Sequence, residues 1–257
     1  MRKRIISAAI LLMIYAPIIA LGGNLFKVGI TITGILTFRD ILLLIKKENN
    51  IPLAIEIISY VLVGGLIISS EYFMAVLAGI FIVMFAPMLL LREKEYSFDA
   101  AVRLIMSIIL FGYAFSILYN LRDISLHSFI YLALIPILTD TFAFVGGKFL
   151  GKHRLMPKVS PNKTIEGTLS GLLAGSLFPT IYYVCFVDQS EKFFDILIVS
   201  IILSILGQIG DLVFSAIKRR FNVKDYSNLI PGHGGLLDLF DSLVFVSLSF
   251  SIVSMLI

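Results

Sequence analysis

The sequence is poor in the residues that anchor most soluble-protein chemistry. It has one cysteine, Cys185, three histidines, no tryptophan, and only 15% charged residues over 257 positions. A single cysteine excludes an intrachain disulfide and leaves the redox compartment unread. His127, His153 and His233 fall in three separate loops, which argues against a three-histidine zinc centre. Soluble domains carry about 25% charged residues, so the scarcity of charge argues against a soluble domain. There is no fixed-period repeat, no low-complexity tract and no loop large enough for a soluble domain.

What the sequence has instead is apolar surface. Hydrophobic residues make up 58% and the mean hydropathy is +0.99. A chain of this size cannot bury that excess in one core and still wear a polar shell, so its solvent is lipid. A bilayer core of about 30 Å takes roughly 20 apolar residues per helix. Nine such stretches occur, near 5–21, 26–45, 51–70, 72–91, 100–119, 128–149, 165–187, 194–217 and 236–257. Uniform runs of this length suit helices rather than the short alternating strands of a barrel. The expected fold is all-α and polytopic, with about nine transmembrane helices. Residues 1–120 are expected to hold helices one to five. Residues 121–257 are expected to hold helices six to nine and the catalytic loops. The first run follows Arg2, Lys3 and Arg4 as a signal peptide would, but has no clear small-residue cleavage site and reads as a retained helix.

The net charge of +4 does not point to nucleic acid, because the basic residues lie in short loops between apolar runs. With the N-terminus in the cytosol, sixteen Lys and Arg fall on the cytosolic side and three (Lys27, Arg122, Lys192) opposite, a strong positive-inside bias. The two longest loops, 150–164 and 218–235, then share the cytosolic face. Arg39 and Asp40 read as the end of helix two near the interface. Glu56 and Arg103, inside apolar runs, either pair or line a cavity.

Four carboxylates stand out. Asp140 lies in the sixth run, Asp211 in the eighth, and Asp238 and Asp241 open the ninth. Each sits within roughly two and a half turns of the cytosolic end of its helix, so all four can share one layer. Charge at that depth is costly unless paired or coordinated. Asp238 and Asp241 are spaced i, i+3 on one helix face. Their repulsion invites a cation, and an oxygen-only ligand set suits Mg²⁺. The preceding loop, Pro231-Gly232-His233-Gly234-Gly235, lets backbone approach a ligand closely and leads into a helix N-terminus, an arrangement suited to phosphate. In Ser160-Pro161-Asn162-Lys163-Thr164-Ile165-Glu166-Gly167, Thr164 or Asn162 can cap helix seven. Lys163 at a helix start calls for an anion beside it.

Ser215-Ala216-Ile217-Lys218-Arg219, Lys224-Asp225, Ser227, Pro231, His233-Gly234-Gly235, Asp238 and Asp241 together resemble the signature of the phosphatidate cytidylyltransferases, or CDP-diacylglycerol synthases. The match runs over 27 residues with fixed spacing. The segment Ser160 to Gly167, and Asp140 with Thr141 and Ala143, resemble two further stretches of that family. The N-terminal half is similar only in hydropathy. One position departs: Leu239 stands where the family usually has Arg.

The resemblance implies that phosphatidate attacks the α-phosphorus of CTP, giving CDP-diacylglycerol and pyrophosphate. It implies Asp211, Asp238 and Asp241 as ligands of one or two Mg²⁺ ions, with a monovalent ion as a further candidate. Asp140 or Asp225 would stand near them. Lys218, Arg219, Lys224, Lys163 and the Gly234 and Gly235 amides would grip phosphate oxygens, with Ser160, Asn162 and Thr164 in the same substrate-binding set. His233 either donates to a phosphate, assists pyrophosphate departure or orders its loop. The implied partners are CTP, phosphatidate and membrane lipids, with no nucleic acid, in a homodimer placed in the inner (plasma) membrane with its loops in the cytosol. Two rival readings use the same features: a CTP-dependent polyprenol- or phytol-type lipid kinase, which releases CDP, and a secondary transporter with intramembrane carboxylates. The spaced Asp-Gly…Ala-Arg…Asp pattern of CDP-alcohol phosphotransferases is absent.

Overall fold

The computed structural model describes residues 2–69 and 72–254, with side chains from Ile6 onward. The side chains of Arg2, Lys3 and Arg4, position 70 at the end of the third expected segment, and positions 255–257 at the end of the ninth lie outside the described residues. Nine α-helices occur among the described residues: α1 (Arg2–Leu21), α2 (Gly23–Glu48), α3 (Leu53–Ile68), α4 (Phe73–Phe85), α5 (Phe98–Ile124), α6 (Leu126–Leu150), α7 (Ile165–Phe186), α8 (Phe193–Arg220) and α9 (Leu237–Val253). Five of them, α2, α5, α6, α7 and α8, are long and apolar enough to cross a membrane; Ile6–Leu21, Leu53–Ile68 and Phe73–Leu89 are shorter apolar helices. The chain is an all-α membrane protein with one small addition. The 150–164 loop folds as an antiparallel hairpin of β1 (Arg154–Met156) and β2 (Ser160–Thr164).

Two compact units arise. One runs to Asp123 and takes in Asp225–Phe240; the other comprises Ile124–Lys224 and resumes at Asp241. In the first unit, helices pack through glycine and large apolar side chains. Phe38, Leu42, Leu66, Leu104, Phe111 and Phe115 are buried, and a side chain at Gly112 would strike Leu66. The last carbonyls of a helix lack partners within it. At the end of α1, the Arg122 side chain of α5 supplies them, donating to Ile19 O at 2.7 Å and Ala20 O at 3.0 Å.

Glu56 and Arg103 each pair, Glu56 with Lys46 at 2.6 Å and Arg103 with Glu48. One expectation is corrected here: Arg39 and Asp40 do not end α2, for the helix runs on to Glu48 and Asp40 is fully buried within it.

In the second unit, α6 and α7 meet through glycine. A Cβ at Gly171 would collide with Thr139 O and Ala143, and one at Gly175 with the Thr139 side chain. Such contacts, together with hydroxyl pairs, hold helices together where lipid offers no hydrophobic drive. Tyr131 and Ser200 hydroxyls lie 2.9 Å apart, Thr180 donates to Ser200 at 3.0 Å, and Thr139 and Ser204 meet at 2.8 Å. The outer face of α7 is apolar: Leu169, Leu173, Phe178 and Phe186 are each more than half exposed. Water would not tolerate such a face on this scale, and the bilayer accounts for it.

Candidate active site

The hairpin delivers the site's first cation. Thr164 has extended backbone and its Oγ1 accepts the Gly167 amide at 3.1 Å, capping α7 as its residue type predicts. Glu166 in the first turn accepts the Lys152 amide at 3.0 Å and pairs with His153 Nδ1 at 2.6 Å, so the entry to the hairpin is tied to the helix it precedes. Arg219, expected on a phosphate, instead donates to Val159 O at 3.2 Å and Val223 O at 3.1 Å and holds the hairpin tip. Fixed at both ends, β2 points Lys163 at α8, where its ammonium forms an ion pair with Asp211. The anion that Lys163 required is therefore present within the protein.

Around this pair lies a cavity of about 430 Å³, within the roughly 300–1,000 Å³ range of small-molecule sites. Asp140 from α6 and Asp211 from α8 face it, with Lys148, Arg154 and Lys163 as counter-charges and Asn162, Thr164, Thr168 and Gln208 as neutral polar groups. Three cations against two carboxylates on a water-accessible wall suit an anionic ligand that carries or shares a cation. Behind them, Asp241 is buried. Its charge is repelled by Asp211 and Asp140 and attracted by Lys218, itself buried at the end of α8. Ser242 is a hydrogen-bonding neighbour of Asp140, and its amide donates to Asp241 Oδ1 at 2.7 Å.

Among the described residues, no group of three or more His, Cys, Asp or Glu forms a ready-made metal cage. Mg²⁺ does not need one, since it keeps waters and shares itself with substrate phosphates. Asp140, Asp211 and Asp241 are three mutually interacting carboxylates without a soft ligand among them, the oxygen-only donor chemistry that Mg²⁺ prefers.

Residues 225–240 in the first unit are built differently. Ile230 and Gly234 form a small antiparallel bridge, with Ile230 N donating to Gly234 O at 2.7 Å and Gly234 N to Ile230 O at 3.0 Å. Gly234 has φ +101°, a conformation that favours glycine. Asp238 Oδ2 accepts the Tyr226 and Gly235 amides, each at 2.9 Å. The Gly234 and Gly235 amides, expected on a phosphate, are thus engaged inside the loop. His233 Nδ1 lies 2.8 Å from the Ser7 hydroxyl of α1, a contact of the loop-ordering kind. Asp225 and Lys224 are exposed, and Leu239 is half-exposed on the first turn of α9.

Of the residues chosen from sequence, Asp140, Asn162, Lys163, Thr164 and Asp211 line one cavity, and Lys218 and Asp241 interact with its carboxylates or each other. Ser160 opens β2 opposite Met156 and does not line the cavity. Four polar lining residues escaped sequence reasoning: Lys148, Arg154, Thr168 and Gln208. Gln208 precedes Asp211 by three positions on one helix face, which was a usable signal. Lys148 and Arg154 read only as topological charge.

Residues 2–257 match the sequence model of a cytidylyltransferase family. Three curated proteins named phosphatidate cytidylyltransferase are similar along nearly their full length: those of Staphylococcus haemolyticus (37% identical), Staphylococcus aureus strain COL (36%) and Staphylococcus saprophyticus (34%), each alignment covering 96% of both chains.

Proposed function

The chain belongs to the cytidylyltransferase family and is a nucleotidyltransferase, and from that premise we propose that it moves the cytidylyl group of CTP onto phosphatidate, forming CDP-diacylglycerol and pyrophosphate for phospholipid synthesis. The observation that carries this reading is the cavity in which Lys148, Arg154 and Lys163 face Asp140 and Asp211 beside apolar helices. The names of the relatives support the choice of substrates.

The chemistry joins two anions. A phosphatidate oxygen forms a bond to the α-phosphorus of CTP, the bond from that phosphorus to the bridging oxygen breaks, and its electron pair leaves with pyrophosphate. The attacking phosphate is already charged, so no strong base is needed, and the protein's part is positioning and charge neutralisation. Lys163, Lys148 and Arg154 neutralise phosphate oxygens. Asn162, Thr164, Thr168 and Gln208 supply directed hydrogen bonds. Lys218 balances the buried Asp241. Asp211 and Asp241, with Asp140 beside them, would hold one or two Mg²⁺ ions, which neutralise triphosphate charge when bound. Lys224 and Arg220 supply further positive charge at the end of α8.

The same reading places the chain in the inner (plasma) membrane as a homodimer, with the hairpin and the 221–236 loop in the cytosol, where CTP is found. The test is purified protein with CTP labelled at the α-phosphorus and phosphatidate, with and without Mg²⁺, resolving both products. Labelled lipid with pyrophosphate is expected. CDP as the second product would indicate a lipid kinase, and vesicle uptake without lipid product a transporter.

A further inference from the structure

Asp40 is the least exposed carboxylate among the described residues, with no exposed surface at all, and the transfer reaction as described above does not use it. It sits in α2, far from the residues that carry the family signature. Its Oδ2 nevertheless accepts the Leu237 amide at 3.0 Å across a separation of 197 residues. The Ser227 side chain and the Leu236 backbone are its other hydrogen-bonding neighbours. A Cβ at Gly235 would collide with Asp40 Oδ2 and lie 2.9 Å from Ser227 Oγ. Among the described residues, Asp40 Oδ1 has no hydrogen-bond partner.

A helix start normally takes its cap from the residue directly before it in sequence. Here the cap comes from another helix, and Gly235 has no side chain because Asp40 occupies its space. A buried carboxylate with one oxygen unsatisfied is costly, and a Ser or Asn within the loop would cap α9 at less cost. What a cap from α2 adds is location: it fixes the loop to the helices of its own unit. Ser7 of α1 does the same at His233.

We propose that Asp40 is a positioning residue for the cytidylyl transfer, holding the amino end of α9, the helix that carries Asp241 one turn further on. The proposal rests on the functional reading above. It gives the N-terminal helices a task in the reaction.

The test uses the full chain in lipid nanodiscs, with CTP and phosphatidate, and compares Asp40→Ala and Asp40→Asn with wild type. Hydrogen exchange of the peptide covering 225–240 is followed by mass spectrometry. Asp40→Ala is expected to lower kcat on the order of 10- to 100-fold, as loss of a supporting partner does elsewhere, while KM for CTP stays within about threefold. Exchange across 225–240 should quicken and the other peptides should not change. Asp40→Asn keeps an oxygen for the Leu237 amide and should recover most of kcat. A folded Asp40→Ala with kcat within about threefold of wild type, or with unaltered exchange across 225–240, overturns the proposal. If Asp40→Ala does not yield folded protein, Ser227→Ala is read instead, since it removes one hydrogen-bonding neighbour of Asp40. Slower turnover with faster exchange in that peptide supports the proposal; unaltered exchange overturns it. Wild-type protein that makes no labelled lipid would fail the functional reading, whereas normal wild-type turnover with an indifferent Asp40→Ala fails this inference alone.

Discussion

The hairpin at 150–164 and the loop at 225–240 both carry dense polar sequence beside a helix start, and they use it in opposite ways. In the loop, amides and carboxylates satisfy one another: Asp238 takes two amides, Gly234 bridges Ile230, and Asp40 takes Leu237. In the hairpin, the backbone is satisfied by the strand pair and by Glu166, so Asn162 and Lys163 face open space beside Asp140 and Asp211. The stretch richest in signature residues is largely a built object, and the plainer one supplies the open charges. A motif thus records both the groups that act and the groups that hold them, and only the hydrogen-bond partners tell them apart.

The comparison breaks first at the cavity carboxylates. Asp211→Asn and Asp241→Asn should each lower kcat on the order of 10³-fold while the protein still inserts and melts normally, as read by lipid product formation and thermal unfolding. A loss of only a few-fold would move the reaction away from this cavity. Lys163→Ala removes the cation paired to Asp211 and should raise KM for CTP about 10- to 100-fold, since a charge-assisted contact to phosphate is lost. Arg154→Ala and Lys148→Ala, on an exposed wall, should cost less and lose their effect as salt rises. Asp238→Asn sharpens the contrast. As a loop builder, Asp238 should cost about 10-fold in kcat with faster exchange across 225–240 and an unchanged Mg²⁺ requirement. A raised half-saturating Mg²⁺ concentration would make it a ligand. The smallest effect is expected from Leu239→Arg, which restores the family's usual residue at a half-exposed position; steady-state turnover should stay within about threefold.

Much of this was legible in sequence where physics acts locally. Nine apolar segments became nine helices because backbone hydrogen bonding in lipid leaves few options, and five of them are long and apolar enough to cross a membrane. Thr164 capped α7 because its residue type and its place before Glu166 dictate it. Asp140, Asp211 and Lys163, each singled out from sequence for its charge, line one cavity. The hairpin was not legible: its strands are five and three residues long, and Ser160-Pro161-Asn162-Lys163 has none of the β-branched or aromatic pattern that marks a strand. Asp40 was misread as a helix end because nothing within α2 shows that its partner is Leu237. The engagement of the Gly234 and Gly235 amides was hidden for a related reason. A glycine-rich turn before a helix looks alike whether its donors face a ligand or a neighbouring carboxylate.

The glycine contact between α6 and α7 also bears on the cavity. Gly147 lines the space itself, and Gly167 meets the Cα of Gly147 across the helix pair. Farther along, Gly171 and Gly175 press on the turn of α6 that carries Thr139, the neighbour of Asp140. The width available to a guest molecule is therefore gauged by hydrogen atoms standing where side chains would be. A single methyl group added at Gly171 would collide with Thr139 O and Ala143 of α6 and would change which guests are admitted without touching any charged group.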